Sequence, residues 1–242
     1  MKQYLHRILA PATALALTAS FATAAEMTPL FDGKSLDGWE VKSGTATYKV
    51  EDGTIVGTTA EGSPNTFLCT KKTFGDFVLE FEVKCDPALN SGVQFRSEVF
   101  DQETEIELDG KKKKVPANRV FGYQVEIASN GSAGRVYDEA RRGKWLDSGK
   151  SPREETPEEV ERIQATAKRV YKTDGWNKYR VIAQGDHIQT FINDAQITDF
   201  RDSTTAKGFF GLQVHGIKKG TGPYSVSWRN IRVKEQKPDE KP

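Results

Sequence analysis

An all-β sandwich is the fold this sequence predicts, and three observations predict it. Short apolar/polar alternations of strand length recur through most of the chain. Turn residues such as Asp52-Gly53 and Asp109-Gly110 punctuate them. Only one segment carries the start signals of a helix. Many strands of similar length with little helix between them indicate two packed antiparallel sheets.

The chain opens with MKQYLHRILAPATALALTASFATAAE. A basic start (Lys2, Arg7), an Ala/Leu-rich middle and a small-residue end at Ala22–Ala24 form the layout of a secretory signal peptide, residues 1–24. The apolar part is short and is broken by Pro11, Thr and Ser, which weighs against a membrane span. The expectation is an exported protein, periplasmic or secreted, with one sandwich domain over residues 25–235 and a flexible charged tail over 236–242. Without Lys2 and Arg7 the formal net charge of +1 falls to about −1. A near-neutral chain gives no electrostatic footprint for nucleic acid or an anionic membrane.

TATYKVEDGTIVGT reads as a hairpin turning at Asp52-Gly53. NTFLCT and DFVLEFEVKC follow, and carry the two cysteines, Cys69 and Cys85. Export permits a disulfide between them, and two buried thiols in neighbouring strands fit the spacing as well. GVQFRSE comes next, then an inserted polar hairpin over residues 101–119 with Lys111–Lys114 on one arm. A lysine run can recruit an anionic partner; a solvated edge that discourages sheet-to-sheet aggregation is the commoner use and the expectation. FGYQVEIAS is the next strand. Residues 150–171 form a helical insertion, with Thr156 as N-cap, Pro157 at the first helical position and Glu158 and Glu159 in the first turn of a surface helix over 157–169. WNKYRVIAQ, HIQTFIND, GFFGLQVHG and YSVSWRNIRVKE complete the strands. In the last, Val226 and Trp228 have one parity and Ile231 and Val233 the other, so a bulge near Arg229-Asn230 is needed to bring all four inward.

Parity also sorts candidate functional residues. Gln94, Arg96 and Glu98 fall on the outer face of GVQFRSE, Gln124 and Glu126 on that of FGYQVEI, and Gln213 and His215 on that of GFFGLQVHG. If the three strands share a sheet, they form a surface of Gln, Arg, Glu and His that could grip sugar hydroxyls and move protons. Alternating polar positions also occur on any solvated antiparallel sheet, as Glu80, Glu82 and Lys84 illustrate. Gln and His are poor solubilising choices, however, and Gly92, Gly122 and Gly211 keep the backbone approachable. With His187 and His215 the only histidines after residue 24, no multi-histidine metal site is expected. No cofactor is expected either; acidic loops such as DFRDS leave a Ca²⁺ open, without EF-hand spacing to support it.

Several stretches, in order, resemble one family: LFDGKSLDGWE, FGDFVLEFEVK, NSGVQFRSE, GYQVEI, GRVYDEARRGKWL, DGWNKYRVIAQGDHIQTFIN and GFFGLQVHG followed by VSWRNIRVKE. They resemble the 3-keto-disaccharide hydrolase family (domain of unknown function 1080, a 3-keto-glucoside 1,2-lyase/hydratase domain) from about Pro29 to Lys234. Two features depart from its pattern: Asp194 stands where the family places Gly, and the lysine hairpin is an insertion. The resemblance implies a concanavalin A-like jelly-roll sandwich in an exported bacterial protein acting on an oxidised sugar, a 3-keto-glucoside or 3-keto-disaccharide. A ketone at C3 acidifies the C2 hydrogen, so a base can remove it and the C1 substituent leaves by β-elimination, with water added afterwards for net hydrolysis. That chemistry wants a base, an acid and a donor for the enolate. The assignment is His215 as base, since imidazole titrates near neutrality, Glu126 as partner acid or in exchanged roles, and Arg96 on the enolate. Gln94, Glu98, Gln124 and Gln213 would bind hydroxyls; Tyr137 and Trp145 would stack on a sugar ring, with Arg142 reaching a hydroxyl or the ketone. Two rival readings are a noncatalytic lectin-like module, for which such a groove suffices, and a conventional glucanase. The latter wants paired carboxylates on one strand, where GYQVEI supplies only Glu126.

Overall fold

A computed structural model describes residues 26–146 and 156–236. The segment read as a signal peptide and the tail beyond Gln236 lie outside the described residues. In chain order the strands are β1 (Thr28–Pro29), β2 (Trp39–Ser43), β3 (Thr47–Glu51), β4 (Thr54–Thr58), β5 (Thr66–Thr70), β6 (Phe77–Cys85), β7 (Ser91–Glu98), β8 (Thr104–Leu108), β9 (Lys111–Val115), β10 (Phe121–Ile127) and β11 (Val136–Glu139). Helix α1 (Pro157–Val170) precedes β12 (Asn177–Gln184), β13 (His187–Ile192), β14 (Ala195–Arg201), β15 (Phe209–Val214) and β16 (Ser225–Glu235).

Two antiparallel sheets face each other. One runs β14-β13-β12-β6-β16-β4-β3, with β1 also on β16; the other runs β11-β10-β7-β15-β5-β2. The all-β sandwich is therefore observed, and every strand of the sequence reading has a counterpart. β1, β2, β11 and β14 were not anticipated, the first for its two residues and the others because their alternation is short or mixed.

The inward parities assigned from sequence fill the core. Phe95 and Phe210 of the six-stranded sheet meet Phe77 of the eight-stranded sheet edge-on, with centroids 6.2 and 4.8 Å apart, and Phe95 stacks on Tyr123 at 5.4 Å. Each such ring contributes up to about 3 kcal/mol by leaving water. In β16 the register shifts between Arg229 and Arg232, Asn230 takes φ 52°, and Val226, Trp228, Ile231 and Val233 are all buried, as the bulge requires.

Turn chemistry follows the expected rules. Asp52-Gly53 takes φ 46° and 73°, the paired positive values of a two-residue hairpin. Thr156 caps α1 by accepting from the Glu159 amide at 3.3 Å, and Ile163 and Ala167 form the buried stripe with which the helix packs on β14. β8 and β9 form their own two-stranded ribbon, where the exposed Lys112 pairs with Glu105 and Lys114 with Glu103. Cys69 and Cys85 lie in different sheets and both thiols are free, so the disulfide left open by the sequence does not form. Among the described residues no helix is long and apolar enough to cross a membrane.

Candidate functional site

β10, β7 and β15 are consecutive neighbours, so the three polar outer faces do share one sheet. The register aligns Gln124 with Gln94 and Gln94 with Gly211; one pleat along, Glu126 lies opposite Gly92. β11 extends these rows: Tyr137 pairs with Gln124, and the Glu126 amide donates to the Arg135 carbonyl. The end of β15 lies beside the start of β7, where Ser91 Oγ donates to the Gln213 carbonyl at 2.7 Å.

A directed chain of hydrogen bonds runs along this face. Ser97 Oγ donates to Gln94 Oε1 (2.6 Å), Gln94 Nε2 to Gln124 Oε1 (3.0 Å), and Gln124 Nε2 to Glu126 Oε2 (3.1 Å). Asn90 Nδ2 donates to the other carboxylate oxygen. Gly92 makes room: a Cβ there would stand 2.5 Å from the Gln124 side chain. Gln94, Gln124, Glu126 and Gln213 are all at most 5% exposed, unlike an ordinary solvated face. Both amide atoms of Gln213 are buried without a hydrogen-bond partner, an arrangement that is costly unless a ligand completes it.

Burial pushes the Glu126 carboxyl up to about 7, against the lowering effect of its two amide donors and of Arg135 and with a raising effect from Glu139. A carboxyl divided between its forms at neutral pH suits proton transfer. His215, half-buried just past β15, has Nδ1 2.7 Å from the Gly216 carbonyl oxygen. A carbonyl only accepts, so Nδ1 carries the proton and Nε2 of the neutral ring has a free lone pair. Tyr137 and Trp145 meet edge-to-face at 5.1 Å, and the Arg135 guanidinium lies 4.4 Å over the indole. Burial and the nearby Glu139 and Glu126 raise the Tyr137 phenol, which keeps its proton as a donor. Among the described residues no group of three His, Cys, Asp or Glu side chains gathers as a metal site would.

Three sequence-assigned residues sit elsewhere. β7 carries one extra residue relative to both neighbours, between Gln94 and Ser97 on the β15 side. At this bulge Arg96 takes φ 45° and its side chain turns through the sandwich edge to the Gly75 carbonyl (2.9 Å), the Gly185 carbonyl (2.7 Å) and Asp76 (2.8 Å). Its expected outward position is thereby corrected: it ties the two sheets together, and Ser97 takes its place beside Gln94. Past the bulge Glu98 also loses its alignment with Gln94 and lines a neighbouring cleft with Ser97, Val99 and Phe209. Arg142 is the third. It is held by Asp138 and, at 2.7 Å, by Asp202, in a buried cluster that also contains Arg141 and Tyr123. Burial raises the Asp202 carboxyl, but hydrogen bonds from Arg142 and Tyr123 outweigh it and hold it at about 2. The site's cation is Arg135, which the sequence reading passed over although it shares parity with Tyr137. Asn90 was missed in the same way, sharing parity with Gly92 and Gln94.

Comparisons agree with this architecture. The carbohydrate-binding module CBM66 from Bacillus subtilis superposes with a TM-score of 0.52 at 16% identity, covering 82% of this chain and 96% of that one. A Bacillus subtilis protein of unknown function with a galectin-like fold gives 0.53 at 12% identity, covering 86% and 94%. The kappa-carrageenase from Pseudoalteromonas carrageenovora, solved with an oligotetrasaccharide of kappa-carrageenan, gives 0.52 at 10% identity, covering 90% and 98%. At such identities the likeness shows a shared jelly-roll sandwich and nothing more. No curated protein sequence matches. A model of the 3-keto-alpha-glucoside-1,2-lyase-like domain matches residues 26–234, nearly the whole sandwich, and the chain belongs to that family.

Proposed function

We propose that this protein cleaves 3-keto-glucosides by β-elimination across C1 and C2. The observation that carries the reading is Glu126: a buried carboxyl poised at about 7, oriented by Asn90 and Gln124 on a closed polar face. A carboxyl raised by burial and oriented by two amide donors is the arrangement expected of a proton-transferring group, which favours catalysis over binding alone.

His215 Nε2 removes the C2 proton, and the electron pair moves to the C3 oxygen as an enolate. Collapse of the enolate forms the C1–C2 double bond, restores the ketone and breaks the bond from C1 to the leaving oxygen. Glu126, in its protonated form, delivers the proton that the departing oxygen needs. Arg135 and the unpartnered Gln213 amide supply donors for the enolate, the role once given to Arg96. Gln94 and Gln124 bind hydroxyls, and Tyr137 and Trp145 offer an aromatic wall. Addition of water to the enone would complete a net hydrolysis. The proposal retains export to the periplasm or beyond.

The test offers the purified protein a 3-keto-glucoside and its unoxidised parent. Release of the aglycone from the keto sugar alone is expected. Release from the parent would indicate a glycosidase, and binding of either without release would leave a lectin.

A further inference from the structure

The His215 ring takes its tautomer from the Gly216 carbonyl oxygen, 2.7 Å from Nδ1. That carbonyl belongs to the peptide between Gly216 and Ile217, and the backbone on either side of it is held by one turn, residues 61–65. Before it, the Gly216 amide donates to Asn65 Oδ1 at 2.9 Å. After it, the Ile217 carbonyl accepts from the Gly62 amide at 3.0 Å, and Glu61 forms a parallel bridge with Ile217. Gly216 lies so close to the turn that a Cβ would stand 2.5 Å from the Ser63 carbonyl oxygen and 3.0 Å from the Pro64 carbonyl carbon. Only glycine fits there, because both neighbours are backbone. The turn is fixed from its far side as well: the Thr45 amide donates to Ser63 Oγ at 2.8 Å and the Gly44 amide to the Asn65 carbonyl at 3.1 Å.

Resting on the reading of His215 as the base, we propose that Asn65 and Gly216 are positioning residues that hold its ring in the Nδ1–H tautomer and so keep the lone pair on Nε2. Which ring nitrogen carries the proton is set by the partner of the other, and a neutral histidine without a directing partner favours the proton on Nε2. His187 shows that opposite form in the same molecule: its Nε2 lies 2.7 Å from Asp199 Oδ1, a carboxylate that accepts, so the proton sits there. A base in that form has no lone pair at Nε2. In the serine-protease arrangement a carboxylate directs the imidazole tautomer; here a clamped backbone carbonyl does so without a full negative charge. Asn65 and Gly216 act on the reaction only through the ring.

The experiment records proton–nitrogen correlation spectra of the imidazole side chains of the full chain at about pH 9, where an ordinary imidazole is neutral. His215→Gln and His187→Gln assign the two rings. Native His215 should show the Nδ1–H pattern and His187 the Nε2–H pattern. Asn65→Leu removes the acceptor at similar volume, and Gly216→Ala pushes Gly216 off the Ser63 carbonyl. Both should move His215 towards the Nε2–H pattern and lower kcat on a 3-keto-glucoside at least about tenfold with KM little changed. Asn65→Asp, which keeps an acceptor oxygen, should keep the native tautomer. His187, on the other sheet, should stay unchanged and so reports an intact fold; if Asn65→Leu does not fold, Gly216→Ala gives the same reading. An Nε2–H pattern in native His215 would overturn the proposal, as would a tautomer that neither substitution moves. A tautomer that moves without any loss of turnover would leave the positioning in place and remove His215 from the base role.

Discussion

Glu126 is set by two opposing forces, and the larger one wins. Two amide donors stabilise its ionised form, yet burial removes the water that would stabilise it more. The result at about 7 makes the group a proton donor whose supply falls as pH rises. Activity that depends on protonated Glu126 should therefore decline on the alkaline side with a midpoint near 7. Glu126→Gln should lower kcat by at least about 100-fold while leaving the fold intact. Gln124→Leu removes one donor to the carboxylate, so burial acts less opposed and the midpoint should move upward. A kcat/KM profile from pH 5 to 9 for the three proteins reads both effects. An alkaline limb unmoved by Gln124→Leu would show that another group governs it.

At the scale of elements, what was legible followed local periodicity. The outward set on β10 and β15 could be read because those strands keep strict alternation through Gln124 and Glu126 and through Gly211 and Gln213. On β7 the same logic held as far as Gln94 and then failed, because one inserted residue reverses parity without changing composition. The compensating bulge in β16 was legible only because hydrophobic residues sat on both sides of it. Arg96 has no such marker: a long cation in an alternating strand reads as exposed, and its three partners, at Gly75, Asp76 and Gly185, are brought to it by tertiary structure. Arg142 was misplaced for the same reason, since Asp202 lies sixty residues away. The β13–β14 turn carries backbone strain of its own. Asn193 and Asp194 take φ 47° and 68°, the paired positive values of a two-residue hairpin turn, which glycine adopts at lower cost than aspartate. Its ion pair with Lys178, at 3.6 Å and largely exposed, adds little. Asp194→Gly should relieve left-handed strain of about 0.5–1 kcal/mol and raise Tm by about 2 °C. Thermal unfolding monitored by circular dichroism checks this, and an unchanged or lower Tm would show that Asp194 is unstrained.

For the whole molecule, the amide-lined face and the ion-paired edge impose opposite pH dependences on one folding equilibrium. Glu126 keeps its proton in the folded state up to about pH 7, whereas an ordinary glutamate releases it near 4.5. Between those values the folded protein binds more protons than the unfolded chain, so stability falls as pH rises and levels off above about 7. At about 1.36 kcal/mol per pH unit the loss amounts to about 3 kcal/mol. Asp202, held at about 2 by Arg142 and Tyr123 against an ordinary 3.8, acts in the other sense. Its contribution is present above about 3.8 and is lost as pH falls towards 2, and Glu80, which burial alone raises, is lowered by Arg232 and Arg180 and adds to the same acid limb. The two limbs meet below neutrality, so the protein should be most stable near pH 4.5 to 5, close to where Glu126 begins to ionise in the unfolded chain. Chemical denaturation of the native protein from pH 3 to 9 should give that maximum. In Glu126→Gln the descent between 4.5 and 7 should flatten while the acid limb remains. A native stability that is flat or rising across that window would mean that Glu126 ionises at its ordinary value, and with it the basis for a neutral-pH proton donor would be lost.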